Sequence, residues 1–162
     1  MNKQEILNEI NKTKEHLANM EKMLEECENE RWKPENGKMY YFLNSYNIAI
    51  SETWDAGCYD DGHYNIYNCF QTREQAETEV EKILVRRQLE DIARSLNKGN
   101  KIDWNDNKDK YCISLVEGKY IMAEYNLTHK LQGVVYCLDS SFRNVAIQEI
   151  GEERLKKYLR GE

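Results

Sequence analysis

The sequence predicts an α+β fold: an N-terminal coiled-coil-like helix followed by two small three-stranded antiparallel sheet-plus-helix units. Three observations predict it. Apolar residues between Ile6 and Cys27 recur at alternating spacings of four and three, the seam of a coiled coil. The stretch Tyr64 to Leu84 runs from strand formers directly into an amphipathic helix. A weaker copy of that junction, Val135 to Ser140, leads into a second apolar helical pattern. The chain therefore reads as residues 1–31, an oligomerising helix; 32–99, a first sheet-plus-helix unit; and 100–162, a second.

The totals are those of a folded protein with exposed helices. The 162 residues are 40% hydrophobic and 32% charged, with one proline and eleven tyrosines. A net charge of −6 disfavours nonspecific contact with nucleic acid or anionic membranes and permits contact with a basic protein surface. No apolar run approaches the roughly 20 residues that span a bilayer. Residues 1–12 hold no apolar signal core, so a cytoplasmic chain is expected. Five scattered cysteines without a C-x-x-C pair read as free thiols, mostly small core residues.

In the first helix Ile10, Leu17 and Leu24 occupy a positions, and Ile6, Thr13, Met20 and Cys27 occupy d positions. In a parallel dimer Glu9 faces Lys14 and His16 faces Glu21. Ile6, Ile10, Leu17, Met20 and Leu24 are the expected oligomerisation residues, with a trimer or an antiparallel pair left open by Thr13. Pro34 and Asn36-Gly37 then break the chain. Lys38–Asn44 and Tyr46–Trp54 read as a hairpin, Asp55–Gly62 as an acidic loop, and Tyr64–Phe70 as a third strand. Thr72 stands at a helix N-cap with Gln75 three residues on, as a capping box requires, and the helix runs through Leu96. In the second unit Lys110–Val116 and Lys119–Tyr125 form a hairpin around Glu117-Gly118. Gly133–Leu138 reads as a strand, Ser140 as the cap of a helix ending at Ile150, and Glu152–Leu159 as a last short helix. Phe70 and Leu138, just before the caps, are expected to be buried.

No stretch carries a catalytic or cofactor signature: there is no G-x-G-x-x-G, P-loop or G-x-S-x-G. Asp60, Asp61 and His63 match no established ligand spacing, so no metal and no cofactor is expected. Tyrosine and tryptophan dominate binding hot spots, and loops on a rigid scaffold tolerate functional residues. Trp54, Tyr59 and Tyr64, rimmed by Asp60 and Asp61, are therefore the expected partner-binding patch.

The pattern W-K-P-x-x-G-x-x-Y-Y over Trp32–Tyr41, N-C-F-x-T-x-x-x-A-E over Asn68–Glu77, and Ile150–Leu159 resemble a group of uncharacterised proteins from phages and prophages of low-GC Gram-positive bacteria. The resemblance covers most of the chain. It implies a small accessory protein of a mobile element, a class that includes inhibitors of host immunity. A narrower likeness, through Cys69-Phe70, Thr72, Gln75 and Ala76, is to the arm-type DNA-binding domains of phage integrases. This chain lacks their glycine and acidic residue. Its residues 32–72 carry Lys33 and Lys38 against Glu35, Glu52, Asp55, Asp60 and Asp61, the wrong sign for reading DNA.

The expected function is thus a non-enzymatic protein that binds and inhibits a host or antiviral-defence component, in the manner of an anti-CRISPR or another anti-defence inhibitor, by occupying a basic nucleic-acid-binding surface. A sponge for a small nucleotide signal and a nucleic-acid-binding accessory factor are the alternatives.

Overall fold

A computed structural model describes residues 12–17, 20, 31–125 and 130–162. The chain divides into two compact units, Met1–Glu35 and Asn36–Glu162. In the first, residues 12–17 and Met20 are helical, and Leu17 and Met20 are exposed. The other seam residues, Ile6, Ile10, Leu24 and Cys27, lie outside the described residues.

The second unit holds, in chain order, β1 (Met39–Leu43), β2 (Ala49–Thr53), α1 (Cys58–Asn65), α2 (Arg73–Leu96), β3 (Cys112–Val116), β4 (Tyr120–Glu124), α3 (Phe142–Ile150) and α4 (Glu152–Arg160). β1 pairs antiparallel with β2, setting Tyr40 opposite Glu52 and Phe42 opposite Ile50. β3 pairs antiparallel with β4, setting Ile113 opposite Ala123 and Leu115 opposite Ile121. Asn44 closes the first hairpin by accepting, through Oδ1, from the backbone N–H of Tyr46 (3.0 Å) and Ile48 (2.9 Å). Glu117 and Gly118, both at positive φ, close the second with the twist that hairpins favour.

Each sheet has two strands, where three were expected. In the first half the expected strand Tyr64–Phe70 is helical at its start and meets β1 at one residue. Phe70 and Tyr41 exchange both backbone hydrogen bonds, at 2.8 and 2.9 Å. The Asn68 side chain extends that bridge as a strand backbone would. Its Oδ1 accepts from the Leu43 N–H, and its Nδ2 donates to the Leu43 carbonyl, both at 2.7 Å. The reason is length: α1 ends at Asn65 and Thr72 already caps α2, which leaves no room for a ladder. In the second half Cys137 and Tyr111 form the same two-bond bridge, both bonds at 2.8 Å. Leu138 then turns away, donating its N–H to Asn97 Oδ1 at 2.8 Å. Phe70 and Leu138 are accordingly half-buried rather than fully packed. α3 begins at Phe142 after Ser141, without a side-chain cap from Ser140.

α2 is the common support. Its capping box is complete: the Gln75 N–H donates to Thr72 Oγ1 (3.2 Å), and Gln75 Oε1 accepts from the Thr72 N–H (3.3 Å). Its N-terminal half carries buried Ala76, and the helix touches β1 and β2. Its C-terminal half carries Val85, Leu89, Ile92 and Ala93 into the main core, where they join Ile113, Ile121, Cys137, Phe142, Ala146, Ile150 and Leu155. α3 and α4 are separated by Gly151 alone, at φ +94° and ψ 140°, a conformation open essentially to glycine. Arg154 of α4 is tied to Glu81 of α2 and donates to Gln88 Oε1 at 2.7 Å.

Two substitutions test this packing. Phe142 is 1% exposed, so Phe142→Ala should cost about 3–5 kcal/mol in denaturant unfolding. Asn97→Ala strands the Leu138 N–H and should cost about 1–3 kcal/mol. A loss below 1 kcal/mol in both variants contradicts the packing described.

Candidate functional site

α1 is eight residues long, and its placement depends on one carboxylate. Gly57 is the N-cap, and its N–H donates to Asp55 Oδ1 at 2.7 Å. Asp60 and Asp61 stand in the first turn, where acidic side chains favour the helix. Asp60 is 3% exposed. Its Oδ2 accepts from the Asp55 N–H at 2.7 Å, and its Oδ1 accepts from the hydroxyl of Tyr40 at 2.8 Å. The phenol has one proton and gives it to Asp60. His63 Nδ1, 3.0 Å from the same oxygen, therefore supplies the proton of the second bond.

Aromatic rings fill the space around these bonds. His63 stacks on Phe42 with ring centroids 4.0 Å apart and planes 20° apart. Trp54 meets Tyr40 edge-on at 5.5 Å and Tyr64 edge-on at 6.3 Å. Asp60, His63 and Tyr64 thus form the inner face of α1 at helical spacing.

Burial alone would raise the Asp60 pKa. Hydrogen bonds from the Asp55 N–H, the Tyr40 hydroxyl and the Ala56 N–H outweigh it, and the group is held below the ordinary aspartate value. Burial, then the bond to Asp60, pushes the Tyr40 phenol well above its usual range. The carboxylate stays charged and the phenol stays protonated, so the pair is an anchor and not a proton-transfer couple.

This placement corrects the expected patch. Residues 58–65 form a helix where an acidic loop was expected, because the two aspartates serve a helix N-terminus instead of a turn. Trp54 and Asp60 are buried, and Tyr64 is half-buried, so these three hold the element in place. Tyr59 and Asp61 face outward, with Tyr59 80% exposed. Two exposed neighbours went unread in the sequence: Ile66 at 69% and Tyr67 at 77%. Both carry β-forming side chains, which predict a strand at these positions. The seven-residue step from Tyr59 to Ile66, two helical turns, is the signal that sets Ile66 on the side of Tyr59; Tyr67, past the helix end, has no such signal.

Tyr67 is one of five described non-glycine residues at positive φ, and the bulkiest of them. The Asn68 N–H donates to the His63 carbonyl at 2.9 Å, and the Tyr67 N–H donates to the Tyr64 carbonyl at 3.1 Å. That pair of bonds is a Schellman motif with Tyr67 at C′, the site where helices usually place glycine. Its φ is +63°, a left-handed conformation that costs a residue with a Cβ about 1–2 kcal/mol.

No other group forms a reactive constellation among the described residues. No cluster of three or more His, Cys, Asp or Glu side chains there is placed to hold a metal ion. Asp60 points inward while Asp61 faces out, so these two do not converge. Burial pushes the Cys112 thiol up to about 11 and raises that of Cys137, which makes both poor nucleophiles. Cys58 is exposed, against the expectation of a core residue. No described helix is long and apolar enough to cross a membrane. Comparison with protein-family models, with curated proteins and with solved structures finds no match for this chain.

The anchor has a pH signature. Asp60 binds its proton less tightly when folded than when unfolded, so its contribution is fully present above the ordinary aspartate value of 3.8 and is lost as pH falls through the lower folded value. Asp60→Asn should cost about 1.5–3 kcal/mol at pH 7, the range for hydrogen bonds to a charged group. The gap between wild type and variant should narrow as the pH is taken from 5 towards 2. A gap that stays constant across that range is inconsistent with a charged anchor.

Proposed function

We propose that this chain is a non-enzymatic accessory protein of a mobile element that binds a cationic protein surface of a host or antiviral-defence component and inhibits it. The observation that carries the reading is Tyr67. A tyrosine at the glycine position of a Schellman motif is held in a left-handed backbone and is exposed, as are its chain neighbour Ile66 and Tyr59 on the helix before it. Local stability favours glycine there, and a backbone outlier of this kind is a motive for function. Exposed tyrosines with an apolar neighbour have the composition of a binding hot spot. Asp61, Asp55 and Glu52, all exposed, give the surroundings an acidic rim, which suits a basic partner. The buried Tyr40–Asp60–His63 anchor supplies the rigid support that such a patch needs.

The sharp test separates stability from binding. Tyr67→Gly relieves the left-handed strain and should raise stability by about 1 kcal/mol. In immobilised form, wild type should retain a cytosolic partner from host lysate, and that partner should then be displaced by duplex or guide-type nucleic acid. Tyr67→Gly and Tyr59→Ala should lose the same partner while melting at or above, and close to, the wild-type temperature, respectively. Retention of the partner by both variants rejects this face.

The N-terminal seam belongs to the same proposal as a self-association element. Leu17→Glu with Leu24→Glu places charges at two a positions, where desolvation is costly. Light scattering at tens of micromolar (roughly where a short coiled coil pairs) should report an oligomer for wild type and a folded monomer for the double variant. A monomeric wild type removes the seam from the reading.

A further inference from the structure

A groove of about 670 Å³ lies along the C-terminal half of α2, facing residues 99–104 and 130–136. Its chemistry runs against that of the chain. The protein carries a net charge of −6, yet the lining holds Arg86, Arg94, Lys101 and Lys130 against the single carboxylate of Glu90. Arg86 and Arg94 sit on one face of α2, eight residues apart. They make ion pairs with Glu90 (3.1 Å) and Asp91 (2.6 Å), both exposed and therefore readily exchanged for a ligand anion. Lys101 and Lys130 make no ion pair among the described residues, so their charge is available.

The wall of the groove is aromatic and fixed. Trp104 and Tyr136 meet edge-on, with centroids 4.9 Å apart and planes at 85°. Behind them the buried ammonium of Lys110 stands 5.9 Å from the Trp104 ring centre. That ammonium donates to Asp106 Oδ1 (2.6 Å), the Asp106 carbonyl (3.1 Å) and the Lys108 carbonyl (2.9 Å). All three of its protons are used, so it serves the loop and leaves recognition to the lysines at the mouth. The side-chain amides of Asn100 and Gln132 also line the groove and make no hydrogen bond among the described residues, which leaves donors and acceptors for a heterocycle edge.

We propose that this groove binds a nucleotide, with its phosphates held by Lys101 and Lys130 and its base against Trp104, which the buried Tyr136 backs. The volume falls in the range of small-molecule sites, and a few placed polar groups around an apolar wall is their usual construction. Ammonium groups recognise phosphate as point charges, while aromatic walls take the base. This site is separate from the α1 surface and stands or falls independently of it.

The test is titration calorimetry of the full chain with ADP, adenosine, tripolyphosphate and a single-stranded oligonucleotide, at fixed salt. ADP should bind, and adenosine and tripolyphosphate should bind more weakly, each lacking one half of the ligand. Lys101→Glu with Lys130→Glu should weaken ADP at least roughly tenfold with the melting temperature of the free protein unchanged. Lys101→Arg with Lys130→Arg should retain binding and serves as the control if the charge reversal unfolds the chain. No heat with millimolar ADP overturns the proposal, as does equal affinity in the charge-reversed variant. Tripolyphosphate binding as tightly as ADP reduces the groove to an anion patch. An oligonucleotide bound far more tightly than ADP makes it a strand-tracking surface instead; either result also rejects the nucleotide site.

Discussion

A two-stranded ribbon does not hold its shape alone in water, and the described residues form two of them. Burial of the first against α2, and of the second against α3 and α4, which themselves pack on α2, is the constraint on which the rest depends. α2 has 24 residues and so runs about 36 Å, long enough to serve the first ribbon and also the helix pair that carries the second. The N-terminal half offers buried Ala76, a small residue that admits close approach. The C-terminal half offers the larger Val85, Leu89 and Ile92 to a core completed by α3 and α4. The two ends of α2 are secured differently. Thr72 and Gln75 close the first by a local capping box, whereas Asn97 closes the second by reaching across to Leu138.

Each half also buries one charge beside a tryptophan, and each meets the cost of desolvation by the same means. Asp60 lies near Trp54 through Tyr40 and is satisfied by backbone N–H groups and a phenol. Lys110 lies near Trp104 and is satisfied by a carboxylate and two carbonyls. Neither depends on a long-range ion pair. A charge bonded mainly to nearby backbone fixes the path of its own loop, which is how irregular segments around these tryptophans acquire one conformation.

α2, the break between α3 and α4, and the two hairpins were legible because their signals are local. Thr72 with Gln75, Glu117 with Gly118, and the glycine at 151 each specify their geometry within four residues. The third strands were misread because Tyr64, Ile66 and Tyr67 carry β-forming side chains, while the decisive facts are spatial: the bonds of Asp60 to Tyr40 and to the Asp55 backbone, and the short chain left before Thr72. Propensity lost there to tertiary context. The candidate site was half legible. Tyr59 and Asp61 lie on the surface as composition suggested, but Trp54 and Asp60 were drawn into the interior. A buried carboxylate is not distinguishable from a solvated one by sequence alone, since its partner Tyr40 is twenty residues away. The groove at Trp104 was invisible for the same reason: its cations come from α2 and from two loops that only the fold brings together.

The single-residue bridges have a dynamic consequence. A segment that meets its sheet through one bridge is expected to open there more readily than a strand in a full ladder. Residues 66–71 are also bonded to α1 and α2 through the amides of Ile66, Tyr67, Asn68 and Gln71, so the bridge at Phe70 should open before the hairpin does. In hydrogen exchange the amides of Tyr41 and Phe70 would report that opening, while those of Val85 and Leu89 would report the whole molecule. Tyr67 lies between α1, which the Asp60 bonds hold in place, and that bridge. A surface so placed keeps its base fixed and can adjust only at its edge to the surface it meets.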